Sequence, residues 1–181
     1  MPTSTVENYL KQILVISLET NCPEVPMGKV AQGLCVTSGT ATTMIKNLAG
    51  NGWLNYYPRR GVRLTRKGKK LAMNMLRRHR LLETFLVETL CLDWSEIHQE
   101  AEELEHAISE KVLEKLDEFL GRPRQDPHGH PIPTKGGVIR RTSTQSLLSC
   151  KEGSEVIIDS IVDQESDCLL YTSDAADDRV S

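Results

Sequence analysis

TSGTATTMIKNLAGNGWLNYYPRRGVRLTRKGKK, residues 37–70, changes its hydrophobic period twice, and each change marks an element. In its first part Ala41, Met44, Ile45 and Leu48 share one face behind a Thr37 or Ser38 cap, which predicts a helix stopped by Gly50 or Gly52. Next come two strand-like runs, 53–57 and 62–65, around the turn PRRG, which predicts a β-hairpin with two arginines at its tip. The pattern then returns to helical spacing. Upstream, residues 27–35 (MGKVAQGLC) place Val30, Ala31 and Leu34 inward, so two short helices joined by a tight turn form a helix-turn-helix with the hairpin as its wing.

The outward face of the second helix is small and polar: Thr37, Ser38, Gly39, Thr40, Thr43, Lys46 and Asn47. Such residues allow close approach to a major groove, although threonines also sit on ordinary helix surfaces. The wing decides between these readings. Arg59, Arg60, Arg63, Arg66, Lys67, Lys69 and Lys70 fall within twelve residues, a density suited to phosphates of double-stranded DNA.

Charge divides the chain in the same way. The net charge of −3 conceals 13 Lys and Arg against 3 acids in residues 1–80, and 4 against 13 in residues 81–126. A basic half beside an acidic half implies two tasks, phosphate neutralisation and the gathering of cations or a partner.

Working outward, residues 4–19 place Val6, Tyr9, Leu10, Ile13 and Leu14 at helical spacing, with Ser4 and Glu7 as a capping box. From Thr65 to about Leu90 a longer helix carries more apolar surface than one small wing can cover, which predicts a linker into a homodimer interface suited to a palindromic operator. It also carries His79 and Glu83 at i, i+4. A further helix, capped by Ser95 and reaching about Ala107, holds HQEAEELEH, residues 98–106. On such a helix His98, Glu102, Glu105 and His106 converge, as a metal site or as a solvated stripe. Ser109 caps a last helix ending near Leu120.

At 39% hydrophobic, 181 residues can bury one good core or two small ones. No run is apolar and long enough to span a membrane, the N-terminus lacks a signal peptide's pattern, and five scattered cysteines without a CxxC pair argue against a disulfide scaffold, so the expected location is cytoplasmic.

The N-terminal helix TVENYLKQI, the winged helix, RRHRLLETFL, IHQEAEELEH and DPHGHPIP together resemble the diphtheria-toxin-repressor family of iron- and manganese-dependent regulators, over about residues 4–135. The resemblance implies a mainly α fold, a winged helix-turn-helix plus a helical metal-binding and dimerisation domain, acting as a metal-dependent repressor rather than an enzyme. It also implies two metal positions: His79, Glu83 and His98 match the ancillary site, and Glu102, Glu105 and His106, with Asn8 of the first helix, match the primary one. Carboxylate and imidazole donors suit Mn²⁺ or Fe²⁺. In iron-sensing members the position of Glu102 looks like a cysteine, and the carboxylate here turns the expectation toward manganese. Two departures stand out, Asn8 where an aspartate is common and Lys11 where one branch has a glutamate. His128 and His130 read as loop residues rather than ligands.

The domains expected are 1–70 (DNA binding), 71–133 (metal binding and dimerisation), 134–145 (linker) and 146–167, which resembles the first strands of an SH3-like β domain, truncated. Residues 168–181, CLLYTSDAADDRVS, resemble translated library-adapter sequence and are expected to be non-native; a genuine acidic tail is the alternative. Two rivals remain. A carboxylate-bridged metalloenzyme would need a second Glu-x-x-His helix, which the chain lacks. A winged-helix regulator sensing an organic effector would make the Glu/His cluster incidental.

Overall fold

In a computed structural model, residues 2–93, 96–140 and 146–156 are described. The chain divides into two compact units, Met1–Arg77 and Arg78–Ser181. Among the described residues no helix is long and apolar enough to cross a membrane.

The first unit contains α1 (Ser4–Glu19), α2 (Met27–Gly33), α3 (Ser38–Gly50), β1 (Leu54–Tyr57), β2 (Gly61–Leu64) and the start of α4 (Arg66–Glu88). Its core is the set the periodicity selects: Leu10, Ile13, Leu14, Val30, Ala41, Ile45, Leu48, Leu54 and Val62 are buried. The capping box expected at Ser4 and Glu7 is replaced by a cap one residue earlier. Thr3 accepts from the Val6 amide, so Glu7 falls one position beyond the reach of a capping box. Thr37 caps α3 by accepting from the Thr40 amide at 3.2 Å. Thr65 does the same for α4, accepting from Gly68 at 3.1 Å.

The strands β1 and β2 pair antiparallel with Leu54 opposite Leu64 and Tyr57 opposite Gly61. Val25 adds a third, one-residue rung, exchanging bonds of 2.8 and 2.9 Å with Val62. This close approach requires Gly61, whose φ is +133°, because a Cβ there would lie 2.2 Å from the Val25 carbonyl oxygen. The 36 residues between Val25 and Val62 are thereby closed into a loop by backbone pairing that local sequence does not announce.

The second unit holds the C-terminal half of α4, α5 (Ile97–Leu104) and α6 (Glu110–Phe119). Leu82 and Leu86 of α4 pack with Ile97 and Ala101 of α5, and Leu81 packs with Leu113 of α6 and Ile132. Ser109 caps α6 by accepting from Val112. Ser95, expected to cap α5, lies outside the described residues; the N-cap is Glu96, without a side-chain cap bond. The helix ends at Leu104 rather than near Ala107, so Glu105 is its C-cap and His106 lies in the following turn. In the 146–156 stretch the structure shows a short 3-10 turn, Leu147–Ser149; the rest of the expected β segment, residues 157–167, and the tail 168–181 lie outside the described residues.

Candidate functional site

The second unit gathers its histidines and carboxylates around one turn of α4. His79 is 5% exposed, Glu83 1% and Glu105 0%, so these polar groups have been taken out of water together. Helical spacing puts His79 and Glu83 one above the other, and burial of Ile97 against Leu82 and Leu86 brings His98 of α5 onto the same side. His79 Nε2 lies 3.1 Å from Glu83 Oε1 and 3.0 Å from His98 Nδ1, and that nitrogen lies 3.2 Å from Glu83 Oε1. On the other side of the ring, His79 Nδ1 lies 2.8 Å from Glu105 Oε2.

These distances set the proton positions. A carboxylate only accepts, so at 2.8 Å the His79 Nδ1–H donates to Glu105, and Nε2 is left to face Glu83 and His98. When Nε2 carries a proton the imidazolium donates to Glu83; when it does not, three atoms with lone pairs converge at mutual separations of 3.0–3.2 Å. A single proton satisfies one pair of them. A divalent cation with bonds of ~2.1 Å holds neighbouring octahedral ligands about 3 Å apart, and thus satisfies all three. The donor set therefore fits a Mn²⁺- or Fe²⁺-like ion. Electrostatics agree: burial alone would raise the Glu83 carboxyl, but the charge and hydrogen bonds of His79 and those of His98 outweigh it and hold the group well below the usual carboxylate range.

Among the described residues two other groups could hold an ion, each offering ligand atoms within 4.8 Å of one another: His79 with Glu102 and Glu105, and Glu83 with Asp126 and His128. The ancillary set expected from the sequence, His79, Glu83 and His98, is thus brought together. Of the expected primary set, Glu102 and Glu105 converge with His79 rather than with His106. Glu102 Oε1 lies 3.9 Å from His79 Nδ1, and His106 Nε2 lies 3.6 Å from Glu105 Oε1, because α5 ends before His106 and the turn, not the helix face, orients its ring. In the first unit, Asn8 Oδ1 on α1 is buried with no hydrogen-bond partner among the described residues, an oxygen donor with its lone pairs unspent. Lys11, three residues on, is buried as well.

The sequence reading missed the third group. His128 does lie in a loop, as expected, but it is only 3% exposed, and Asp126 is 6% exposed. The loop closes by the Gln125–Pro131 bridge, and Asp126 Oδ1 accepts from the backbone amides of His128 and His130, each at 2.9 Å. The clue available in the sequence was the string Asp-Pro-His-Gly-His-Pro itself, an acid and two imidazoles in a turn-forming context.

In the first unit Thr37, Ser38, Gly39, Thr40, Thr43 and Lys46 are all exposed, along with Arg59, Arg60 and Arg63 of the wing. Thr43 donates its hydroxyl hydrogen to the Gly39 carbonyl, which turns its methyl and an acceptor outward. Arg59 takes φ +66° at the wing tip. Two of the seven cations are already engaged within the unit: Arg60 pairs with Glu24 at 3.0 Å, and Lys67 sits 3.8 Å from the centre of the Trp53 ring.

Residues 1–62 match the family described as the iron-dependent repressor N-terminal DNA-binding domain, and residues 65–134 match the iron-dependent repressor metal-binding and dimerisation domain. The chain belongs to the diphtheria-toxin-repressor family. Among its relatives, the iron-dependent repressor IdeR of Mycobacterium tuberculosis is 35% identical over 129 residues, 71% of this chain and 55% of that protein. An HTH-type transcriptional regulator of Methanocaldococcus jannaschii is 36% identical over 118 residues, 65% of this chain and 94% of its own length. A solved manganese-dependent transcriptional repressor in complex with manganese superposes with a TM-score of 0.83 at 36% identity, covering 94% of this chain and 78% of that one. ScaR with bound Zn²⁺ gives 0.76 at 34% identity, covering 97% and 80%. The chain spans about half the length of the IdeR relatives it matches. The fold class expected from the sequence, mainly α with a winged helix-turn-helix and a helical metal-binding domain, is the fold of this diphtheria-toxin-repressor member.

Proposed function

We propose that the chain is a metal-dependent DNA-binding repressor of metal homeostasis, working in the cytoplasm as a homodimer on a palindromic operator. The observation that carries the reading is the convergence of His79 Nε2, Glu83 Oε1 and His98 Nδ1 within 3.0–3.2 Å of one another, in a chain whose first unit is a basic winged helix. Bound there, a divalent cation would neutralise the buried Glu83 carboxylate and link it to the buried His79 and the exposed His98 imidazoles, which otherwise compete for protons.

The roles of the chain's own residues follow from chemistry. His79 offers Nε2 as a ligand while Nδ1–H is fixed by Glu105, the arrangement in which a second carboxylate orients a metal-binding imidazole. Glu105 is thereby tied to His79 and, with Glu102 and His106, supplies the donors of a second position. Glu83 has two possible sets of companions, His79 with His98 or Asp126 with His128. Thr37, Ser38, Gly39, Thr40, Thr43 and Lys46 face the operator's major groove, and Arg59, Arg60 and Arg63 its backbone. Any ligand that favours the DNA-competent arrangement is itself bound more tightly when DNA is present, by the same factor. Couplings of about 1–3 kcal/mol are typical of such linkage.

A carboxylate at Glu102 favours Mn²⁺ as the signal over Fe²⁺. The test is fluorescence anisotropy of labelled DNA from the gene's upstream region, titrated with protein in chelator and then with Mn²⁺ or anaerobic Fe²⁺, alongside His106→Ala. Tightening by metal that the variant loses supports the reading; equal affinity with and without metal overturns it in favour of an organic effector.

A further inference from the structure

Arg78, His79 and Arg80 are consecutive on α4, and the two arginines reach away from the ring between them. Arg78 donates from Nη1 to the Glu105 carbonyl at 3.3 Å and pairs through Nη2 with Glu110 at 2.5 Å, pinning the turn between α5 and α6. Arg80 reaches the other loop. Its Nη1 donates to the Pro131 carbonyl at 2.6 Å, and its Nε lies 3.3 Å from Asp126 Oδ2.

Those two contacts span the loop that carries His128. Asp126 opens the loop and Pro131 closes it, so one guanidinium, fixed on a helix, holds both ends at once. The Asp126 side chain is therefore engaged on both oxygens: the backbone amides of His128 and His130 donate to Oδ1, and the arginine lies at ion-pair distance from Oδ2. The planar fork of arginine is suited to such double engagement, whereas an ammonium is a single point donor.

We infer that Arg80 is a positioning residue for the Glu83–Asp126–His128 set: it holds the 126–131 loop against α4 so that Asp126 and His128 face Glu83. The inference rests on the metal-binding reading above. A guanidinium beside a carboxylate ligand could instead act as a resident competitor for the ion, and the two roles predict opposite signs. Loss of a positioning partner typically weakens metal binding 10- to 100-fold; loss of a competitor strengthens it.

The experiment uses the full chain and Mn²⁺ as probe, with free aqua-Mn²⁺ read by room-temperature electron paramagnetic resonance. His98→Ala is the parent, because it removes one companion set of Glu83 and leaves the Asp126–His128 set intact. Adding Arg80→Met should weaken the equivalent that His128→Ala abolishes by tenfold or more. Arg80→Lys, which keeps a cation beside Asp126 but as a single point donor, should recover only part of that loss. Parent-like or tighter binding in Arg80→Met overturns the inference, as does an Arg80→Lys no better than Arg80→Met. If Arg80→Met fails to fold by far-ultraviolet circular dichroism, Arg80→Gln carries the same test. A wild-type chain that binds no Mn²⁺ at all overturns the metal-binding reading along with it, whereas a wild type that binds and an Arg80 series that does not respond overturns this inference alone.

Discussion

Removing the His79 ring should destabilise the metal-free protein and abolish most of its stabilisation by Mn²⁺, and the two effects can be separated. In chelator, the ring links two carboxylates that are 1% and 0% exposed, with contacts of 3.1 Å to Glu83 and 2.8 Å to Glu105. A hydrogen bond to a charged group is worth ~1.5–3 kcal/mol, and breaking a buried charged pair costs about 3–5 kcal/mol. Water entering the space left by His79→Ala recovers part of this, so about 3 kcal/mol is expected. That corresponds to roughly 6–12 °C in melting temperature for a chain of this size. With Mn²⁺ at 100 times its dissociation constant, the wild type gains a further ~2.7 kcal/mol by mass action, and the variant gains little. The assay is urea unfolding followed by circular dichroism, in chelator and in Mn²⁺. A His79→Ala/Glu105→Gln double variant should regain some of the metal-free loss, because it no longer buries the Glu105 charge, but none of the Mn²⁺ response. A single variant within about 0.5 kcal/mol of wild type in chelator would refute the buried network. An undiminished Mn²⁺ shift would refute His79 as a ligand.

Four other outcomes are expected. Gly68→Ala should destabilise the winged helix by about 3 kcal/mol, the upper end of overpacking costs, since a Cβ there would lie 1.9 Å from the Trp53 carbonyl oxygen; thermal unfolding checks it. Arg59→Ala and Arg63→Ala should each reduce the slope of log affinity against log salt by about 0.9 in operator titrations, whereas Arg60→Ala should change it less because Glu24 already neutralises that cation. Since the folded-state Glu83 carboxyl is depressed, its contribution in chelator is fully present above the usual carboxylate range and is lost as pH falls below it. The stability gap between wild type and Glu83→Gln should thus stay level from about pH 8 to 5 and close at lower pH, as thermal melts across that series would reveal. Ile97→Ala, at 0% exposure against Leu82 and Leu86, should cost about 2–5 kcal/mol and loosen Mn²⁺ through displacement of His98, measurable by unfolding and metal titration together.

The winged helix was legible because its signals are local. Ala41, Ile45 and Leu48 lie within a few residues of one another, and PRRG announces its own turn. The pairing of His79 with Glu83 was readable for the same reason. What the periodicity misjudged was where α5 stops: a continuous face through His106 assumes helix beyond Leu104, but the chain turns there, and Arg78 fastens the turn through the Glu105 carbonyl. Asp126 and His128 were not legible as partners of Glu83, because more than 40 residues separate them and only the fold of the loop, held by Arg80, brings them near. Val25 shows the same limit in the first unit, since a single backbone rung to Val62 leaves no side-chain pattern to read.

Successive residues on a helix point about 100° apart. Arg78, His79 and Arg80 therefore address three different neighbours from a single turn of α4, while Leu82 and Leu86 just beyond them fix the rotation of that helix in its core. Changes of side chain at this turn can be compensated one contact at a time, but a change of register cannot. One codon inserted between Leu81 and Leu82 would swing all three side chains together toward the wrong neighbours. The turn should accordingly tolerate substitution far better than insertion or deletion, a distinction that a codon-level library across residues 76–84 would expose as a gap in its surviving lengths.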